Sequence, residues 1–79
     1  MAVTAYILIQ TEVGKAGQVL AQVRAIPGVQ MADTVTGPYE IICRVEAPTL
    51  DDLGLNVISR IQMADGITRT VTCNIVALA

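Results

Sequence analysis

The chain has 79 residues, 53% of them hydrophobic, and a mean hydropathy of +0.59. Five basic residues (Lys15, Arg24, Arg44, Arg60 and Arg69) stand scattered against seven acidic ones, for a net charge of −2. Nucleic-acid binding relies on grouped cations that neutralise phosphates, so no direct nucleic-acid contact is expected.

No apolar run approaches the roughly 20 residues that span a bilayer. The N-terminus also lacks the basic region and small-residue cleavage site of a signal peptide. No membrane association is therefore expected, and the expected location is cytoplasmic. The chain has no histidine, so the usual zinc sites and Cys–His nucleophiles cannot be assembled within it. Cys43 and Cys73 read as small core residues. No metal, cofactor or catalytic residue is indicated.

Residues 1–79 make one small domain, which by folding alone hides only about 60% of its unfolded surface. So large an apolar fraction exceeds what one thin core can use. The surplus points to burial between subunits.

Val3 to Gln10 alternates as a strand, with Val3, Ala5, Ile7 and Ile9 on one face and Thr4, Tyr6, Leu8 and Gln10 on the other. Tyr6 and Leu8 make the second face partly apolar, as in a central strand covered on both sides. From Lys15, Ala16, Val19, Leu20 and Val23 form a helical stripe that Pro27-Gly28 ends. Val29 to Thr36 reads as a second strand and Tyr39 to Glu46 as a third. Between them Gly37 can supply positive φ and Pro38 withholds an N–H, which predicts a tight hairpin.

Thr49 is a suitable N-cap for a second helix, and Asp51 and Asp52 favour its dipole. Leu50, Leu53, Val57 and Ile61 fall on one face of that helix. Asp65-Gly66 closes it, and Ile67 to Val76 alternates as the last strand. Each half thus reads strand, helix, glycine, strand. The order β-α-β-β-α-β predicts an α+β, ferredoxin-like fold: a four-stranded antiparallel sheet with two helices on one face. Its other face, carrying apolar side chains, then needs a second subunit.

These features resemble the effector-binding (RAM) domain of the Lrp/AsnC family of transcription regulators. The resemblance rests on Ala5-Tyr6-Ile7-Leu8-Ile9, Ile26-Pro27-Gly28-Val29, the turn Thr36-Gly37-Pro38-Tyr39-Glu40, and Gly66-Ile67-Thr68-Arg69-Thr70-Val71-Thr72. No helix-turn-helix precedes the first strand, so the resemblance implies a stand-alone form. It further implies a homodimer that assembles into a higher oligomer, possible co-assembly with full-length Lrp/AsnC-type regulators, and an amino-acid effector bound between dimers near the turn.

Carried over residue by residue, the resemblance implies ligand-binding roles for Gly37, Pro38, Tyr39, Glu40, Thr70 and Thr72. Pro38 stands where the family usually has Asp, which removes an acceptor for an α-ammonium group. Glu40 keeps the second carboxylate one methylene further out. The same residues satisfy a plain hairpin turn, and Thr70 and Thr72 fit ordinary strand propensity. Three functions follow: an effector-binding regulatory module, a purely structural oligomerisation module, or a small dimeric α+β-barrel enzyme. The aliphatic helix stripes and the lack of His and Trp weigh against the enzyme.

Overall fold

The computed structural model describes residues 2–77 of the chain. Its elements are β1 (Val3–Thr11), α1 (Ala16–Arg24), β2 (Val29–Thr34), β3 (Ile41–Ala47), a second helix α2 over residues 50–62, and β4 (Ile67–Asn74). The strands form one sheet in the order β2-β3-β1-β4, and every neighbouring pair is antiparallel. This is the ferredoxin-like arrangement read from the sequence.

Alternation decides the two faces. Ala5, Ile7 and Ile9 of β1 lie level with Val45, Cys43 and Ile41 of β3, and all six are fully buried. Val19 and Val23 of α1 and Leu53, Val57 and Ile61 of α2 close over them. A buried aliphatic side chain contributes about 1.5–3 kcal/mol, so this layer holds the fold. The opposite face carries Tyr6, Leu8, Met31, Ile42 and Val71, which stay exposed or half-buried.

Helix α2 changes pitch in its middle. Leu50–Asp52 and Ser59–Gln62 are α-helical, whereas Leu53–Ile58 forms a wider π turn in which the Ser59 N–H donates to the Gly54 carbonyl. An α-helix of about 3.6 residues per turn carries side chains spaced by four steadily around its axis. The wide turn cancels that drift and keeps Leu53, Val57 and Ile61 on the core. Leu50, read as part of the same stripe, is instead exposed. Thr49 caps the helix as expected, its side-chain oxygen accepting the Asp52 N–H at 3.1 Å.

The two halves match more closely than alternation alone indicates. Gly28 and Gly66 have φ of +99° and +101°, and their carbonyls accept the Glu46 and Glu12 N–H groups, each at 2.8 Å. After each glycine comes one core residue, Val29 or Ile67, and then an extra residue that shifts the pairing register, Gln30 or Thr68. Plain alternation groups Val29 with Met31 and Ile67 with Arg69. The bulges instead turn Val29 and Ile67 toward the helices and leave Met31 and Arg69 on the open face.

Candidate functional site

The site is built where β2 hands the chain to β3. The predicted hairpin is wider than a tight turn: the strands end at Thr34 and resume at Ile41, so residues 35–40 form a loop. Val35 N–H donates to the Glu40 carbonyl at 2.9 Å and closes its neck. The Glu40 N–H turns away from β2 and donates to Ile9 of β1 at 3.0 Å. Pro38 has no N–H to continue the ladder. Gly37 takes φ of +146°, which L side chains rarely adopt, although a side chain there would meet no neighbour.

Side chains then tie the loop to the end of β1. Gln10 Nε2 donates to the Pro38 carbonyl at 3.0 Å. Glu40 Oε1 accepts the Thr11 backbone N–H at 2.6 Å and the Thr11 hydroxyl at 3.4 Å. A carboxylate bound to a backbone N–H makes a charge-assisted bond, stronger than a neutral one. One oxygen of Glu40 is therefore committed to holding the loop.

Beneath the loop lies a concavity of about 480 Å³, lined by Leu8, Val35, Thr36, Gly37, Pro38, Tyr39 and Ile42. Leu8 and Ile42 are register partners on the open face and form its floor. Tyr39 is half-buried in the wall. Gly37, Pro38 and Tyr39 are thus brought together at the concavity, while Glu40 lies outside its lining and holds the loop to Thr11.

Thr70 and Thr72 lie elsewhere. They pair with Ile9 and Ile7, so their side chains belong to the helix face of edge strand β4. There Thr70 accepts a bond from Gln62 Nε2 at 3.4 Å, while Thr72 is exposed. Within one chain the two threonines and the concavity sit on opposite faces of the sheet.

Sequence reading missed Leu8, Val35, Thr36 and Ile42 as lining residues. The signal for Leu8 and Ile42 was their apolar character on an otherwise uncovered face, but only the β1–β3 register puts them under the loop. Reading also placed both cysteines in the core. Cys43 is buried there, and burial pushes its thiol up to about 11 despite a backbone hydrogen bond at Ile7. Cys73 pairs with Tyr6 and is exposed on the open face. Among the described residues no group of three potential metal ligands converges, and no helix is long and apolar enough to cross a membrane.

The family model for the Lrp/AsnC ligand-binding domain matches residues 4–77. The chain belongs to this family. This Lrp/AsnC domain is also similar to solved structures. The crystal structure of FFRP-DM1 is 36% identical with a TM-score of 0.87, covering 94% of this chain and 99% of that one. A hypothetical protein, PHS023 from Pyrococcus horikoshii, is 36% identical with a TM-score of 0.86, covering 96% and 92%. AsnC of E. coli is 27% identical with a TM-score of 0.87. The match covers 96% of this chain and 52% of AsnC, so the Lrp/AsnC domain spans about half of that regulator's length. No curated protein matches the chain closely. Family membership makes the domain a regulatory effector-binding module of the kind found in transcription regulators.

Proposed function

We propose that the domain binds a small effector, an amino acid, at the loop over residues 35–40, and does so as a homodimer that assembles further in the cytoplasm. The observation that carries this reading is the concavity under a loop fixed to β1 by Gln10 and Glu40. Amino-acid sites need a bounded, water-excluding wall together with a few polar groups. Here Leu8, Val35, Pro38 and Ile42 supply the wall, and Tyr39 offers an apolar ring with a polar tip. Main-chain N–H groups near Gly37 suit the carboxylate, and the Glu40 oxygen not held by Thr11 suits the ammonium. Thr70 and Thr72 contribute from a neighbouring copy, because within one chain they face away from the loop. A regulator of this fold from Neisseria meningitidis, 15% identical, was crystallised as an L-Met complex, which makes amino acids the first class to test.

Dimerisation is supported by the open sheet face. Tyr6 and Met31 are each about two-fifths exposed, at 40% and 41%, with Val71 half-buried on the same face, while Leu8, Val35 and Ile42 are left to the concavity at its margin. Soluble monomers seldom leave so contiguous an apolar surface uncovered. Full-length Lrp/AsnC regulators are natural candidates for co-assembly, since they contain the same domain. Binding rather than catalysis is the reading, in keeping with the family.

The test is a thermal-shift screen against the common amino acids, with oligomer size followed by light scattering. An effector that prefers the folded protein raises Tm with concentration. The reading predicts such a shift for one or a few amino acids. No shift for any of them, with the assembly intact, would favour the purely structural role.

A further inference from the structure

The open face carries two cations that their own chain leaves without a counter-charge, Arg69 on edge strand β4 and Arg44 at the centre of the sheet. Only the second is half-buried. Arg44 is half-buried at the centre of β3, level with Tyr6 on one side and Met31 on the other. Its guanidinium carbon lies 5.5 Å from the Tyr6 ring centroid. Nη1 donates to the Tyr6 hydroxyl at 3.1 Å, and Nε donates to Gln30 Oε1 at 2.9 Å. Both acceptors are neutral. They orient the charge without offsetting it.

Among the described residues the only ion pair joins Arg24 to Asp33, at 3.8 Å. Asp33 is therefore already engaged. Glu40 holds Thr11, and Glu12 follows the end of β1. The remaining carboxylate on the open face is Glu46, half-buried, level with Thr4 and two residues beyond Arg44 on the same strand.

We infer that a second copy of this chain covers the open face in a register that sets Arg44 of each protomer against Glu46 of the other. The inference rests on the dimer proposed above and adds the contact that fixes its register. A cation covered by an apolar sheet loses its water and needs an opposite charge in return. In a two-fold interface residue i meets j and j meets i, so a strand carrying Arg and Glu two positions apart is complementary to itself. The axis passes between the two positions, across β3. Packed sheets stand roughly 10 Å apart, a gap that an arginine and a glutamate span together. Tyr6 and Gln30 hold the guanidinium ready, which lowers the entropy lost on pairing.

Charge reversal tests this directly, with the dimer dissociation constant read by sedimentation velocity and the fold checked by circular dichroism. Arg44→Glu and Glu46→Arg should each weaken the dimer by about tenfold or more, because like charges then meet. The double exchange should return it to within about threefold of wild type, as coupled sites do. Glu46→Gln keeps the side chain's shape and carries the test if a reversal fails to fold; it should weaken the dimer and flatten its salt dependence. Single variants that dimerise as tightly as wild type, or a double exchange as weak as the singles combined, would overturn the pairing while leaving the dimer. A wild-type protein that stays monomeric at every concentration would overturn the dimer as well.

Discussion

Glu40 reaches back across the sheet to Thr11, its Oε1 lying 2.6 Å from the Thr11 backbone nitrogen. This bond and the Gln10 contact to Pro38 give the loop over residues 35–40 a fixed shape despite its lack of ladder pairing. Glu40→Ala leaves the part-buried Thr11 N–H without its acceptor, at a cost of about 1–3 kcal/mol. Chemical denaturation should show that loss. Effector affinity should fall by more than the same loss of stability made elsewhere, because the loop also frames the concavity.

Two glycines of α2 and its surroundings should respond in opposite directions to alanine. A Cβ on Gly28 would lie 2.7 Å from Val57 Cγ2 and 3.0 Å from the Glu46 carbonyl, at φ of +99°. Positive φ alone costs an L residue roughly 1–2 kcal/mol, so Gly28→Ala should lower Tm clearly. A Cβ on Gly54 meets nothing within 4 Å in a helical conformation. Gly54→Ala should therefore raise stability by about 0.5–1 kcal/mol. Equal effects in thermal denaturation would contradict the packing described for α2.

How much of this could be read from residues alone varied along the chain. The alternation of β1 and β3 identified both faces because those strands pair without interruption. The offset after Val29 and after Ile67 was not legible, since a bulge is a relation between two strands and leaves no period of its own. Leu50 was misplaced for another reason: it is the first residue after the Thr49 cap and is exposed at the helix start, an end effect that periodicity does not register. Gly37-Pro38-Tyr39 marked the loop, whereas Leu8 became part of the concavity only through its pairing with Ile42. Cys73 looked like Cys43 in sequence but pairs with Tyr6, on the sheet face away from the helices, and is exposed there.

The Cys43 thiol should make stability depend on alkaline pH. Its folded-state value of about 11 lies above the ordinary value of 9.0, because burial disfavours the thiolate. The folded protein then keeps a proton that the unfolded chain loses. The contribution is complete below about pH 9 and is lost as pH rises toward about 11, an effect of about 2–3 kcal/mol at most. Cys43→Ala should remove that part of the decline in Tm between pH 8 and pH 10.5. An unchanged decline would assign it to other groups.

Tyr39→Ala should weaken effector binding while leaving the dimer intact, because Tyr39 lines the concavity and lies outside the Arg44 and Glu46 contact. Calorimetric titration alongside light scattering would check both halves. Equal affinity in wild type and variant would remove Tyr39 from the site.

The most direct test of the effector site is a two-dimensional amide NMR titration of labelled protein with the amino acid that raises Tm most. The largest shifts should fall on residues 35–40, excluding Pro38, on Leu8 and Ile42, and, through the neighbouring copy, on Thr70 and Thr72. Shifts confined to the exposed end of β4, or to the far side of α2, would contradict it and move the site away from this loop.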